Sequence, residues 1–121
     1  MIIPGTHSKV VSIEDGFVVD FKTFLTGEMF YALCESTILG TFGKNVDPNS
    51  EWFYQGVIRG AKSKHSGDLL SLLFCARSRV LVDNMPEDQS ASFISGLLLG
   101  SEIGASQYKT QDIWVMGNGN L

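Results

Sequence analysis

Glycines spaced four apart constrain this chain more than any other feature. Gly96, Gly100 and Gly104 fall in Ser95-Gly96-Leu97-Leu98-Leu99-Gly100-Ser101-Glu102-Ile103-Gly104, and Gly56 and Gly60 repeat the spacing in an earlier helical stretch. Residues i and i+4 of a helix share a face, so each set removes the side chains from one strip. A glycine inside a helix costs about 1 kcal/mol against alanine, so packing must compensate. The strip at 96, 100 and 104 lets its helix lie close against a sheet, another helix or a flat ligand. The strip at 56 and 60 permits close approach of another element.

The rest of the chain supplies partners for those helices. Ile2 and Ile3 end a short buried strand before the Pro4-Gly5 break. Lys9 to Ile13 alternate loosely, and Asp15-Gly16 between apolar runs is a hairpin signal. In the return strand, Phe17, Val19, Phe21, Thr23 and Leu25 share one face, with Val18, Asp20, Lys22 and Phe24 on the other. A three-stranded antiparallel meander is predicted. Thr26 is the expected cap of a first helix with Phe30, Leu33, Cys34 and Thr37 on one face, ending near Gly40. Leu39 to Val46 reads as a loop. Asp47 as cap and Pro48 at the first position open a second helix with Phe53, Val57 and Ala61 as its stripe. His65 falls in a polar connection. Leu69 to Ala76 is nearly all apolar and predicts a buried helix running to Val82. Pro86-Glu87-Asp88 opens the glycine-rich helix, and Gln111 to Met116 is a last strand leading into Gly117-Asn118-Gly119.

The chain of 121 residues is 44% apolar and 18% charged, which fits a single globular domain or part of one. Its formal net charge of −4, with no cluster of Lys or Arg, argues against a nucleic-acid surface. Cys34 and Cys75 have no metal spacing and read as free thiols of a reducing compartment. No signal-peptide pattern and no long apolar run are present, so a cytoplasmic protein away from membranes is expected.

Chemistry concentrates in the first nine residues. Pro4-Gly5-Thr6-His7-Ser8-Lys9 joins a strand end to a dense set of donors: backbone amides, two hydroxyls, an imidazole and an ammonium. A glycine turn lets backbone N–H groups approach a bulky anion, and that suits phosphate, although an ordinary strand connection has the same composition. Gly117-Asn118-Gly119 is a second glycine turn after a strand. No Ser/His/Asp spacing of a hydrolase, no metal cluster and no evident catalytic base are found. By residue chemistry alone the chain is an anion-binding α+β domain.

Four segments, in order, carry a resemblance across almost the whole chain: Pro4 to Lys9, Asp20 to Glu28, Leu73 to Arg77, and Ser95 to Ile103. Together they resemble the 2-keto-3-deoxygalactonate kinase family, a branch of the actin/hexokinase-type ATPases. The resemblance implies an α+β, ribonuclease H-like fold: three antiparallel strands, helices, then a further parallel strand. Residues 1–121 resemble the second, nucleotide-contacting domain of a sugar-acid kinase. Gly5, Thr6, His7, Ser8 and Lys9 would lie at a phosphate loop, and Gly117, Asn118 and Gly119 at the adenosine side. Glu28 and Arg77 lie in motifs whose roles are open, substrate contact or structure. ATP and Mg²⁺ are the implied cofactors and a sugar acid the implied substrate.

Two positions depart from the family pattern. Val10 stands where an aromatic residue is usual, and Val80-Leu81-Val82-Asp83 replaces a Leu/Phe-Gly run. The family's first domain, with its own phosphate loop and base, has no counterpart in these residues. The isolated chain is therefore expected to be inactive and to assemble as a homo-oligomer or with the missing domain. The alternatives are a non-catalytic fragment or degenerate relative that binds nucleotide, and an assembly module using the glycine helix.

Overall fold

The computed structural model describes residues 1–106 and 112–117. Three strands form one antiparallel sheet in the order β1 (Ile2–Ile3), β2 (Ser8–Glu14), β3 (Phe17–Phe24). Four helices follow: α1 (Thr26–Ser36), α2 (Glu51–Lys62), α3 (Ser66–Val82) and α4 (Ser90–Ser106). The result is a small α+β structure. Short 3-10 segments at Ile38–Phe42 and Glu87–Gln89 lead from α1 and into α4.

The hairpin between β2 and β3 forms where Asp15-Gly16 predicts it. Glu14 pairs with Phe17, and both turn residues have positive φ, 51° and 82°. That is the backbone twist a tight hairpin favours. The expected alternation along β3 is broken by a bulge. Ser12 faces Asp20, but Ile13 faces Val18, which leaves Val19 without an opposite residue. Residues directly opposite share a face, so Val18 joins Phe21 on the side of Val11 and Ile13. Among the described residues no helix covers this face at β3: Val18 is 62% and Phe21 65% exposed. The other face buries Ser8 and Val10.

The last predicted strand is reduced to a single bridge. Val115 pairs with Ile2 in the parallel sense, with the Ile2 amide donating to Trp114 O at 2.7 Å and the Met116 amide donating to Ile2 O at 2.8 Å. Gln111, the first residue of that predicted strand, lies outside the described residues.

Helix ends differ from the sequence reading at three places because competing side-chain bonds win. Thr26 does not cap α1. Leu25 occupies the cap position, and the Thr26 hydroxyl donates to Glu102 instead. Asp47 does not cap α2 either. Its carboxylate accepts from the Asn49 amide at 2.9 Å, and Ser50 caps the helix by accepting from the Phe53 amide at 3.0 Å. The first helix stops at Ser36, because the Thr37 hydroxyl takes the Leu39 amide at 3.1 Å and starts the 3-10 turn. His65 precedes α3, and its amide donates to Asp68, which ties down the entry to the helix.

α3 is amphipathic rather than buried all round. Leu73 and Ala76 enter the core, while Leu70 and Phe74 on the same helix are exposed. The core itself centres on α4: Phe93, Ile94 and Leu97 are fully buried against Leu39, Leu73, Ala76 and Met85.

The two glycine strips meet each other. A Cβ at Gly96 or Gly100 would overlap the carbonyl oxygen of Phe53 or Val57 on α2. Conversely, a Cβ at Gly56 or Gly60 would overlap that of Phe93 or Leu97 on α4. A Cβ at Gly104 would sit 2.6 Å from Ala61 O. The helices therefore touch backbone to backbone, which closes the choice left open by the sequence in favour of helix packing. Replacing Gly100 by Leu should destabilise the fold by about 1–3 kcal/mol or more through overpacking. The denaturant midpoint checks this. A midpoint that does not move would mean that the seam is open.

Candidate functional site

The site lies at one end of the sheet. β1 and the 114–116 segment run parallel, so their carboxyl ends emerge side by side. The Pro4-Gly5-Thr6 turn leaves one of them and Gly117 leaves the other. Crevices outside the carboxyl ends of parallel strands are where open α/β sheets bind ligands.

The N-terminus of α1 holds the turn from one side. The Glu28 amide donates to Thr6 O at 3.0 Å. In a trans peptide the carbonyl and the next N–H point in opposite directions, so the His7 amide faces away from α1. Gly27 is required at this contact: a Cβ there would lie 2.8 Å from Thr6 Cα and 2.9 Å from Gly5 O. Gly5 itself has open space where a Cβ would project. A cavity of about 220 Å³ lies against the turn, lined by Pro4, Gly5, Ser8, Thr26, Phe30 and Glu102 among others.

The predicted donors divide into two groups. Gly5, Thr6 and His7 are exposed on the turn. His7 Nε2 pairs with Glu28 Oε2 at 2.6 Å, so two residues singled out separately in the sequence come together. Lys9 folds back, its ammonium donating to His7 O at 3.1 Å, which places a positive charge beside the turn. Ser8 behaves differently: it is 4% exposed, and its hydroxyl donates to Glu102 Oε1 at 2.5 Å. Its proton is thus engaged inside the protein.

Arg77 is not among the residues lining the cavity. It lies on α3 with its guanidinium 5.5 Å from the centre of the Phe42 ring, and its buried Nη1 has no hydrogen-bond partner among the described residues. Gly117 is exposed beside the bridge, and Asn118 and Gly119 lie outside the described residues.

Sequence reasoning missed Thr26, Gly27 and Glu102. The available signal for Glu102 was its isolation: it is the sole charged residue in α4, on an otherwise apolar and small-residue helix. A charge in such a setting needs partners. Gly27 had the weaker signal of a glycine in the first turn of a helix.

Among the described residues no group of three or more His, Cys, Asp or Glu could hold a metal ion, and no helix is long and apolar enough to cross a membrane.

Comparisons with known proteins bear on the whole chain. The family model described as 2-keto-3-deoxy-galactonokinase matches residues 1–121. The 2-dehydro-3-deoxygalactonokinase of Escherichia coli (strain K12) is 30% identical over 104 residues, covering 86% of this chain and 35% of the relative. DgoK1 of Rhizobium meliloti (strain 1021), assigned the same activity, is 31% identical over 125 residues, covering 98% of this chain and 40% of the relative. A crystal structure of a protein assigned as a 2-dehydro-3-deoxygalactonokinase from Sinorhizobium meliloti superimposes with a TM-score of 0.86 at 30% identity, covering 98% of this chain and 39% of the other. The chain thus spans between about a third and two fifths of the length of these relatives. A match along all 121 residues makes this chain a member of the 2-keto-3-deoxy-galactonokinase family.

Proposed function

We propose that the chain is the nucleotide-contacting part of a sugar-acid kinase, with the Pro4–Lys9 turn taking the phosphates of ATP. The observation that carries this reading is the parallel bridge between Ile2 and Val115, which brings the turn and Gly117 to one end of the sheet. The exposed turn presents the Gly5, Thr6 and His7 backbone to an anion, and Lys9 supplies positive charge beside it. Gly117, Asn118 and Gly119 take the adenosine side. Glu28 holds His7 in place. The fold is then the ribonuclease H-like half of an actin/hexokinase-type ATPase.

At the family level the reaction is transfer of the γ-phosphoryl group of ATP to the 6-hydroxyl of 2-dehydro-3-deoxy-D-galactonate. Catalysis of such a transfer rests on positioning and on neutralising charge along the phosphates. This chain's part is to hold the phosphate tail by backbone donors and Lys9. Among the described residues no carboxylate set near the turn fits Mg²⁺: Glu28 is paired with His7, and Glu102 is taken by two hydroxyls. A cytoplasmic setting suits the substrate and the free thiols Cys34 and Cys75.

A second reading is a non-catalytic relative or fragment that binds nucleotide or serves in assembly. The uncovered face at Val18 and Phe21 favours it, because apolar area of this kind usually finds a partner.

Gly5→Val should abolish ATP binding while leaving the fold intact, since a Cβ at Gly5 meets nothing. Titration with ATP beside circular dichroism checks this, and unchanged affinity in a folded variant would remove the turn from the phosphate site. The 121-residue chain with ATP and 2-dehydro-3-deoxygalactonate should release no ADP above a blank lacking protein. Light scattering should find a dimer or larger species, and a clean monomer at all concentrations would count against assembly through the β3 face.

A further inference from the structure

We infer that Glu102 is the positioning residue of the phosphate turn: its two carboxylate oxygens bind β2 and α1 to α4 and so set the turn's affinity for an anion. The geometry is specific. Oε1 accepts from Ser8, the residue directly after the exposed part of the turn, and Oε2 accepts from Thr26, the first residue of α1. Glu102 is 5% exposed, so the group is held by these partners rather than by water. The Thr6–Glu28 backbone bond closes the same loop from the other side. Ser95, Leu98, Leu99 and Glu102 form the stripe of α4 that lines the cavity, at helical spacing. Gly96 and Gly100 lie on the stripe that meets α2. The backbone seam thereby fixes where α4 stands, and Glu102 transmits that position to the turn. Because the Ser8 and Thr26 protons are engaged by Glu102, neither hydroxyl donates to the phosphate. The turn binds through its backbone amides and Lys9.

This inference rests on the nucleotide reading for its effect on affinity, and a second measurement separates the two. The variants are Glu102→Gln, Thr26→Val, which removes the hydroxyl at nearly constant volume, and Thr26→Ser, which restores it. Thermal melting identifies variants that stay folded. In those, Thr26→Val and Glu102→Gln should weaken ATP binding on the order of tenfold or more, the scale of a lost buried hydrogen bond to a charged group. Thr26→Ser should bind like the parent. NMR order parameters at Thr6 and His7 should fall in Thr26→Val and recover in Thr26→Ser, while those at Gly56 and Gly60 hold. Should Glu102→Gln fail to fold, the Thr26 pair decides. Parental affinity in Thr26→Val, or a Thr26→Ser variant as weak as Thr26→Val, would overturn the inference. If the parent chain binds no ATP, the nucleotide reading falls, and the order parameters alone decide the positioning role: unchanged values at Thr6 and His7 would end it.

Discussion

The contact between α2 and α4 is the constraint from which the rest of the structure follows. Side chains normally set the distance between helices, at roughly 8–10 Å between axes. Here glycines remove them, and backbone meets backbone along Gly56, Gly60, Gly96 and Gly100. The helix propensity lost at each glycine is offset by dispersion contacts over the whole seam. Once α4 is fixed, its other faces have defined duties. Phe93, Ile94 and Leu97 fill the core. Ser95, Leu98 and Glu102 reach the sheet end where the turn lies.

The turn is held by an unusual division of labour. Its carbonyl at Thr6 is bound by the helix amide of Glu28, and its flank at Ser8 is bound by a buried carboxylate. Neither contact uses the backbone amides of Gly5, Thr6 and His7. Structure and the proposed recognition thus draw on different atoms of the same short segment, and the segment is held without covering its exposed backbone amides.

What the sequence disclosed followed from locality. The Asp15-Gly16 hairpin was legible because a two-residue turn demands positive φ, which those residues accept. The glycine strips were legible as strips, since spacing alone puts them on one face, but whether a helix, sheet or ligand covered them was not. Thr26 and Asp47 looked like helix caps and are not, because Glu102 and Asn49 offered better partners. The bulge at Val19 was hidden for a similar reason: register is decided by both strands, and period two in one strand cannot report it. In α3 an apolar run suggested burial, yet Leu70 and Phe74 stand outside the core. The pairing of Ser8 with Glu102 spans 94 residues, and no local pattern encodes a contact of that range. The family resemblance, by contrast, was legible because it draws on four segments at once.

The hairpin described above also divides the molecule by stability. Among the described residues β3 takes its backbone bonds from β2, at the edge of the sheet, and its apolar residues gain little from burial. α4 is buried along most of its length. Local opening proceeds from the least protected unit, so partial unfolding starts at β3 and leaves α2 and α4 paired. The strand nearest to that fraying edge is β2, whose first residue is Ser8. Amide protons should therefore exchange along a gradient that is fastest at β3 and slowest at the glycine seam, with the turn standing between a soft margin and a hard one.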